Sequence, residues 1–115
     1  MSIARRMLQL NLNIADGNSV TPAVQVPNGA TKVTIQFAYS NLDAEVAISM
    51  YQSLDGGNFD LCRNESDESV TITLDPATTS MTINITDLLT TWFRFSLDVQ
   101  SATEGVLEKI YVLME

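Results

Sequence analysis

Apolar and polar residues alternate along most of this chain, with the two-residue period of a strand. Leu8, Leu10, Leu12 and Ile14 take turns with Gln9, Asn11 and Asn13, which predicts a strand with one buried face. Asp16-Gly17-Asn18 supplies turn chemistry. Val20, Val24 and Val26 carry a second strand, interrupted by Pro22. Proline cannot donate to a ladder, so that strand is expected at an edge, or bulged at Pro22. After the β-turn signal Pro27-Asn28-Gly29, Val33, Ile35, Phe37 and Tyr39 line one face of a third strand, and Val46, Ile48 and Met50 one face of a fourth. Leu54-Asp55-Gly56-Gly57-Asn58-Phe59 reads as a hairpin turn, with Phe59 and Leu61 pointing inward from the returning strand.

The pattern continues to the end of the chain. Asn64 to Glu68 forms an acidic, solvated loop; strands follow on Val70, Ile72 and Leu74 and on Met81, Ile83 and Ile85. Asp87-Leu88-Leu89-Thr90 fits one helical turn with Asp87 as its N-cap. Phe93, Phe95, Leu97 and Val99 then alternate with Trp92, Arg94, Ser96 and Asp98. In the final stretch, Val106, Ile110, Val112 and Met114 oppose Leu107, Tyr111 and Leu113, so both faces are apolar. Such a strand is central in a sandwich or covered by a partner. No segment of helical length shows a 3.6-residue period, which excludes βαβ units. Eight or nine short strands separated by turns predict an all-β fold, an antiparallel, jelly-roll-like β-sandwich, with residues 1–115 as one domain.

Charge narrows the partners. Fourteen acidic residues stand against six basic ones, with no histidine and a net charge of -8. Phosphate binding needs a Lys/Arg footprint, so neither nucleic acid nor an anionic membrane surface is expected as a partner. The single cysteine, Cys62, allows no internal disulfide and reads as a small apolar residue, because a cysteine nucleophile needs a base beside it. The first fourteen residues lack a signal peptide's continuous apolar region, so synthesis in the cytoplasm is expected. The glycosylation-like triplets at Asn64 and Asn84 are then chance matches.

Candidate chemistry is sparse. No catalytic residues, cofactor or metal ligands are expected. Asp55, Asn58 and Asp60 could offer oxygen ligands to Ca²⁺, but hairpin turns use the same residue types for backbone reasons. Tyr51, Trp92 and Tyr111 each lie opposite their strand's main apolar stripe, and Leu113 shares the surplus face of the last strand. These four are candidate contacts for a protein partner or a glycan. Filling a second layer of core, or a subunit contact, is the plainer role for Trp92 and Tyr111.

The run Ala47-Ile48-Ser49-Met50-Tyr51-Gln52-Ser53-Leu54-Asp55-Gly56-Gly57-Asn58-Phe59-Asp60 carries a resemblance. With the strands Val70-Thr71-Ile72-Thr73-Leu74-Asp75 and Trp92-Phe93-Arg94-Phe95, it resembles the small β-sandwich structural proteins of tailed-phage virions. Its turn also resembles, over less of the chain, that of discoidin-like carbohydrate-binding jelly rolls. The first resemblance implies a capsid auxiliary or decoration, head-fibre or tail-associated protein. Such a protein is made in the host cytoplasm, resides in the virion and contacts other virion proteins and copies of itself. The second implies a glycan as ligand. Neither transfers a catalytic residue.

Overall fold

The alternating runs become strands because each can bury one face. The computed structural model describes residues 3–63 and 68–115; of the acidic loop expected at 64–68, residues 64–67 lie outside the described residues, and the first glycosylation-like triplet with them. The strands are β1 (Ala4–Asn13), β2 (Ser19–Val20), β3 (Val24–Gln25), β4 (Val33–Ser40), β5 (Val46–Ser53), β6 (Asp60–Leu61), β7 (Thr71–Leu74), β8 (Ser80–Ile85), β9 (Trp92–Asp98) and β10 (Val106–Met114). Ten segments exceed the eight or nine expected, for local reasons. The run through Pro22 splits into β2 and β3, and β6 is only two residues long.

Two antiparallel sheets result. The front sheet has the order β1-β10-β4-β8; in the back sheet β9 pairs with β2, β3 and β5, and β5 pairs with β6 and β7. With β2 and β3 counted as one broken strand and β6 set aside, eight strands remain. They pair first with last, second with seventh, third with sixth and fourth with fifth. That nested pairing is the wiring of a jelly roll.

The inner faces meet in one core. Ile35, Phe37, Leu107, Ile110 and Met114 of the front sheet are fully buried, as are Val46, Met50, Phe93 and Phe95 of the back sheet. Phe37 meets Phe95 edge to face across the sandwich, ring centroids 5.3 Å apart, and Phe93 repeats the geometry at 5.7 Å.

Three local expectations are corrected. Residues 87–90 form no helical turn; they cross from one sheet to the other without regular structure, with Leu88 buried and its N–H donating to the Thr31 carbonyl. Phe59 and Leu61 do not point into the core: Leu61 lies opposite Tyr51 on the outer face of the back sheet. β10 is not apolar on two faces in the register expected. A bulge at Glu108 shifts its phase by one residue, so Leu107 joins Ile110, Val112 and Met114 inside.

Candidate functional site

The four candidate contact residues fall on opposite faces of the molecule. Tyr51 and Trp92 lie on the outer face of the back sheet, where Tyr51 pairs with Arg94 and Trp92 with Ser53 and Gln25. The sheet adds two residues that sequence reasoning left out. The Arg94 guanidinium carbon sits 4.1 Å from the centroid of the Phe59 ring, a cation–π contact. Tyr51, Trp92, Phe59 and Arg94 thus gather on one half-buried face. Arg94 was legible as Trp92's neighbour on the same face, two residues on; Phe59 needed the path of its loop.

That loop, residues 54–59, is held by its own carboxylate. Asp55 Oδ1 accepts from Ser53 Oγ and from the N–H groups of Gly57 and Asn58, at 2.8–2.9 Å, and Oδ2 accepts from Asn58 Nδ2 at 2.7 Å. These donors hold the Asp55 carboxyl well below the usual carboxylate range, led by the Asn58 N–H. Asp55 therefore works as the staple of a turn. Gly56 has φ +79, and a Cβ built there would come 3.1 Å from Trp92 Nε1, so the loop backbone rests against the indole edge.

Tyr111 and Leu113 lie on the outer face of the front sheet, built of three rungs across four strands. The rungs read Arg5-Leu113-Thr34-Asn84, Met7-Tyr111-Gln36-Thr82 and Gln9-Lys109-Ala38-Ser80. Met7 and Tyr111 are 50% and 41% exposed, large values for apolar or aromatic side chains in strands. A shallow concavity of about 310 Å³ opens here between Arg5, Tyr111, Leu113 and Thr82. The twelve positions hold two cations and no carboxylate. Arg5, Met7 and Lys109 join this site only through the β1–β10 pairing, which no local signal in the sequence announces.

The two ends differ. At one end, the loops around residues 14–18, 41–45, 75–79 and 98–105 carry Asp16, Asp43, Glu45, Asp75, Asp98 and Glu104, all exposed, and no lysine or arginine. Asp43 ties two of these loops together: it accepts from Thr103 N–H, Thr103 Oγ1 and Glu104 N–H at 2.7–3.0 Å, which lowers its pKa to about 2. At the other end Leu54 and Leu89 are 75% and 79% exposed and share a groove of about 340 Å³. Cys62 is buried, and burial pushes its thiol pKa up.

No protein-family model matches the chain, and no curated protein resembles it in sequence. Its fold is similar to that of the SPBc2 prophage-derived protein YomS, with a TM-score of 0.61 at 10% identity over 99% of this chain and 95% of that one. A lesser likeness is to a chain in the structure of infectious bursal disease virus, Gx strain, with a TM-score of 0.48 at 9% identity. That match covers 99% of this chain and 33% of the viral one. Identities this low speak to fold: an all-β, two-sheet architecture also found in a prophage-derived protein.

Proposed function

We propose that this chain is a structural component of a bacteriophage virion, a capsid auxiliary, head-fibre or tail-associated protein that acts through protein–protein contacts and not catalysis. The observation that carries this reading is the complete jelly-roll wiring, a design recurrent in viral capsid domains, together with end-to-end similarity to a prophage-derived protein. Exposed Met7, Tyr111, Leu54 and Leu89 support contact with other proteins. Gradient-purified particles from a producing culture, probed for this chain by quantitative mass spectrometry, provide the test. The chain is expected at a fixed ratio to the major shell or tail protein and to survive a salt wash. Recovery only at the top of the gradient, away from particles, overturns the reading.

One observation favours a second reading, carbohydrate binding: Tyr51, Trp92 and Phe59 gather on a single face, and aromatic faces stack on sugar rings. Here, however, Arg94 already covers the Phe59 ring and the Gly56 loop abuts the indole. Saturable binding on a glycan array, lost in Trp92→Ala, would establish this reading over the first.

A further inference from the structure

We propose that the outer face of the front sheet is a docking surface for a second copy of this chain, and that the part it receives is the acidic loop end. This inference rests on the virion reading and names the partner within it. Charge complementarity carries it. In a chain with fourteen acidic residues and six basic ones, the twelve paired positions of the face hold Arg5 and Lys109, and the carboxylate beside them is Glu108 at the bulge. The loop end holds six exposed carboxylates without a lysine or arginine. Each copy therefore carries both halves of one complementary contact. Between the two cations run Met7, Tyr111 and Leu113, an apolar strip of the kind found at the centre of protein contacts.

The geometry of the edge points to the face as the contact. β1 is a free edge of the front sheet, but Arg6 occupies a position facing inward opposite Val112, and a bulge with Asn11 at φ 49 interrupts the strand. Both devices block edge-to-edge pairing with another sheet. Face against identical face would set Arg5 and Lys109 of both copies on one another. Face against acidic end joins unlike charges, and such a head-to-tail contact repeats from copy to copy until it closes a ring or builds a lattice. Twelve residues and their rim are fewer than the ~20–30 a side of a standard interface, so the contact is weak singly and strong when multiplied.

A charge swap tests it by sedimentation velocity. Wild-type protein is expected to associate as concentration rises at low salt and to dissociate near 1 M salt, where screening acts within about 3 Å. Arg5→Glu/Lys109→Glu and Glu45→Lys/Glu104→Lys each alter exposed or half-exposed side chains. Each double variant alone is expected to associate less than wild type, and a 1:1 mixture to recover association, since the unaltered face of one variant then meets the unaltered loop end of the other. Wild type that is monomeric at every concentration, variants that associate as wild type does, or a mixture that stays monomeric overturns the proposal. Should a double variant melt early, the single changes Arg5→Glu and Glu104→Lys make the same comparison. Protein found in particles yet monomeric by this test overturns this inference alone; protein that passes the charge swap but is absent from particles overturns the virion reading alone.

Discussion

Asp43 and Asp55 show how single carboxylates hold loops that have no strand to hold them. Each accepts several N–H or O–H bonds as a carboxylate, so each has a folded pKa below the ordinary 3.8. As pH falls, the unfolded chain takes up these protons first. The stabilisation is complete above about pH 4 and disappears as pH falls through about 2 for Asp43, and lower still for Asp55. Asp43→Asn is therefore expected to flatten the acid limb of a melting-temperature profile between pH 4 and 2. An unchanged limb would mean that the Thr103 and Glu104 bonds do not act in solution. Of the two, Asp55 was legible in sequence, because its partners lie within three residues. Asp43 was not, since Thr103 is sixty residues away. Gly105 is held by the same corner: at φ +123, a Cβ would come 3.0 Å from Leu42 Cα. Gly105→Ala is expected to cost about 1 kcal/mol or more by denaturant titration.

At the scale of elements, the break at Pro22 is repaired by one side chain. Thr21 is buried; its N–H donates to the Phe95 carbonyl and its Oγ1 accepts from the Phe95 N–H at 3.0 Å. The hydroxyl thus stands in where the interrupted ladder has no carbonyl to offer. Thr21→Val keeps the shape and leaves a buried N–H unpaired, which is expected to cost about 1–3 kcal/mol; Thr21→Ser should retain most of the stability. The chain announced the interruption but not the repair. Elsewhere the strands were legible because alternation is local, whereas pairing is not. The one-residue phase slip in β10 was hidden, because Val106 and Leu107 are equally apolar and either could face inward. The helical turn at 87–90 failed for a different reason: four residues are too few to nucleate a helix, and the Leu88 N–H has a better partner in Thr31.

For the molecule as a whole, nested pairing scatters each surface over the chain. The outer front face draws on β1, β4, β8 and β10, and the acidic end on loops from residue 14 to 105. Tyr111 and Leu113 were legible as surplus apolar residues, but that they and the Tyr51–Trp92 pair occupy opposite faces depends on strand order alone. Leu113 faces outward and is only half-buried, so Leu113→Lys is expected to leave stability within roughly 1 kcal/mol in thermal melts, the scale of surface changes. Collapse of the fold in that variant would place Leu113 in the core.

The wiring also sets a timetable. β10 lies between β1 and β4, so the front sheet has a gap at its centre until residues 106–114 exist. On a ribosome adding about 5–20 residues each second, β1 waits several seconds for β10, the strand it pairs with among the described residues. The closing step joins Ala4–Asn13 to Val106–Met114, far apart in sequence, and non-local topologies of this kind refold in roughly milliseconds to seconds. A chain cut short by a dozen residues therefore loses no mere tail. It loses the keel of one sheet, the strand to which both β1 and β4 are bonded.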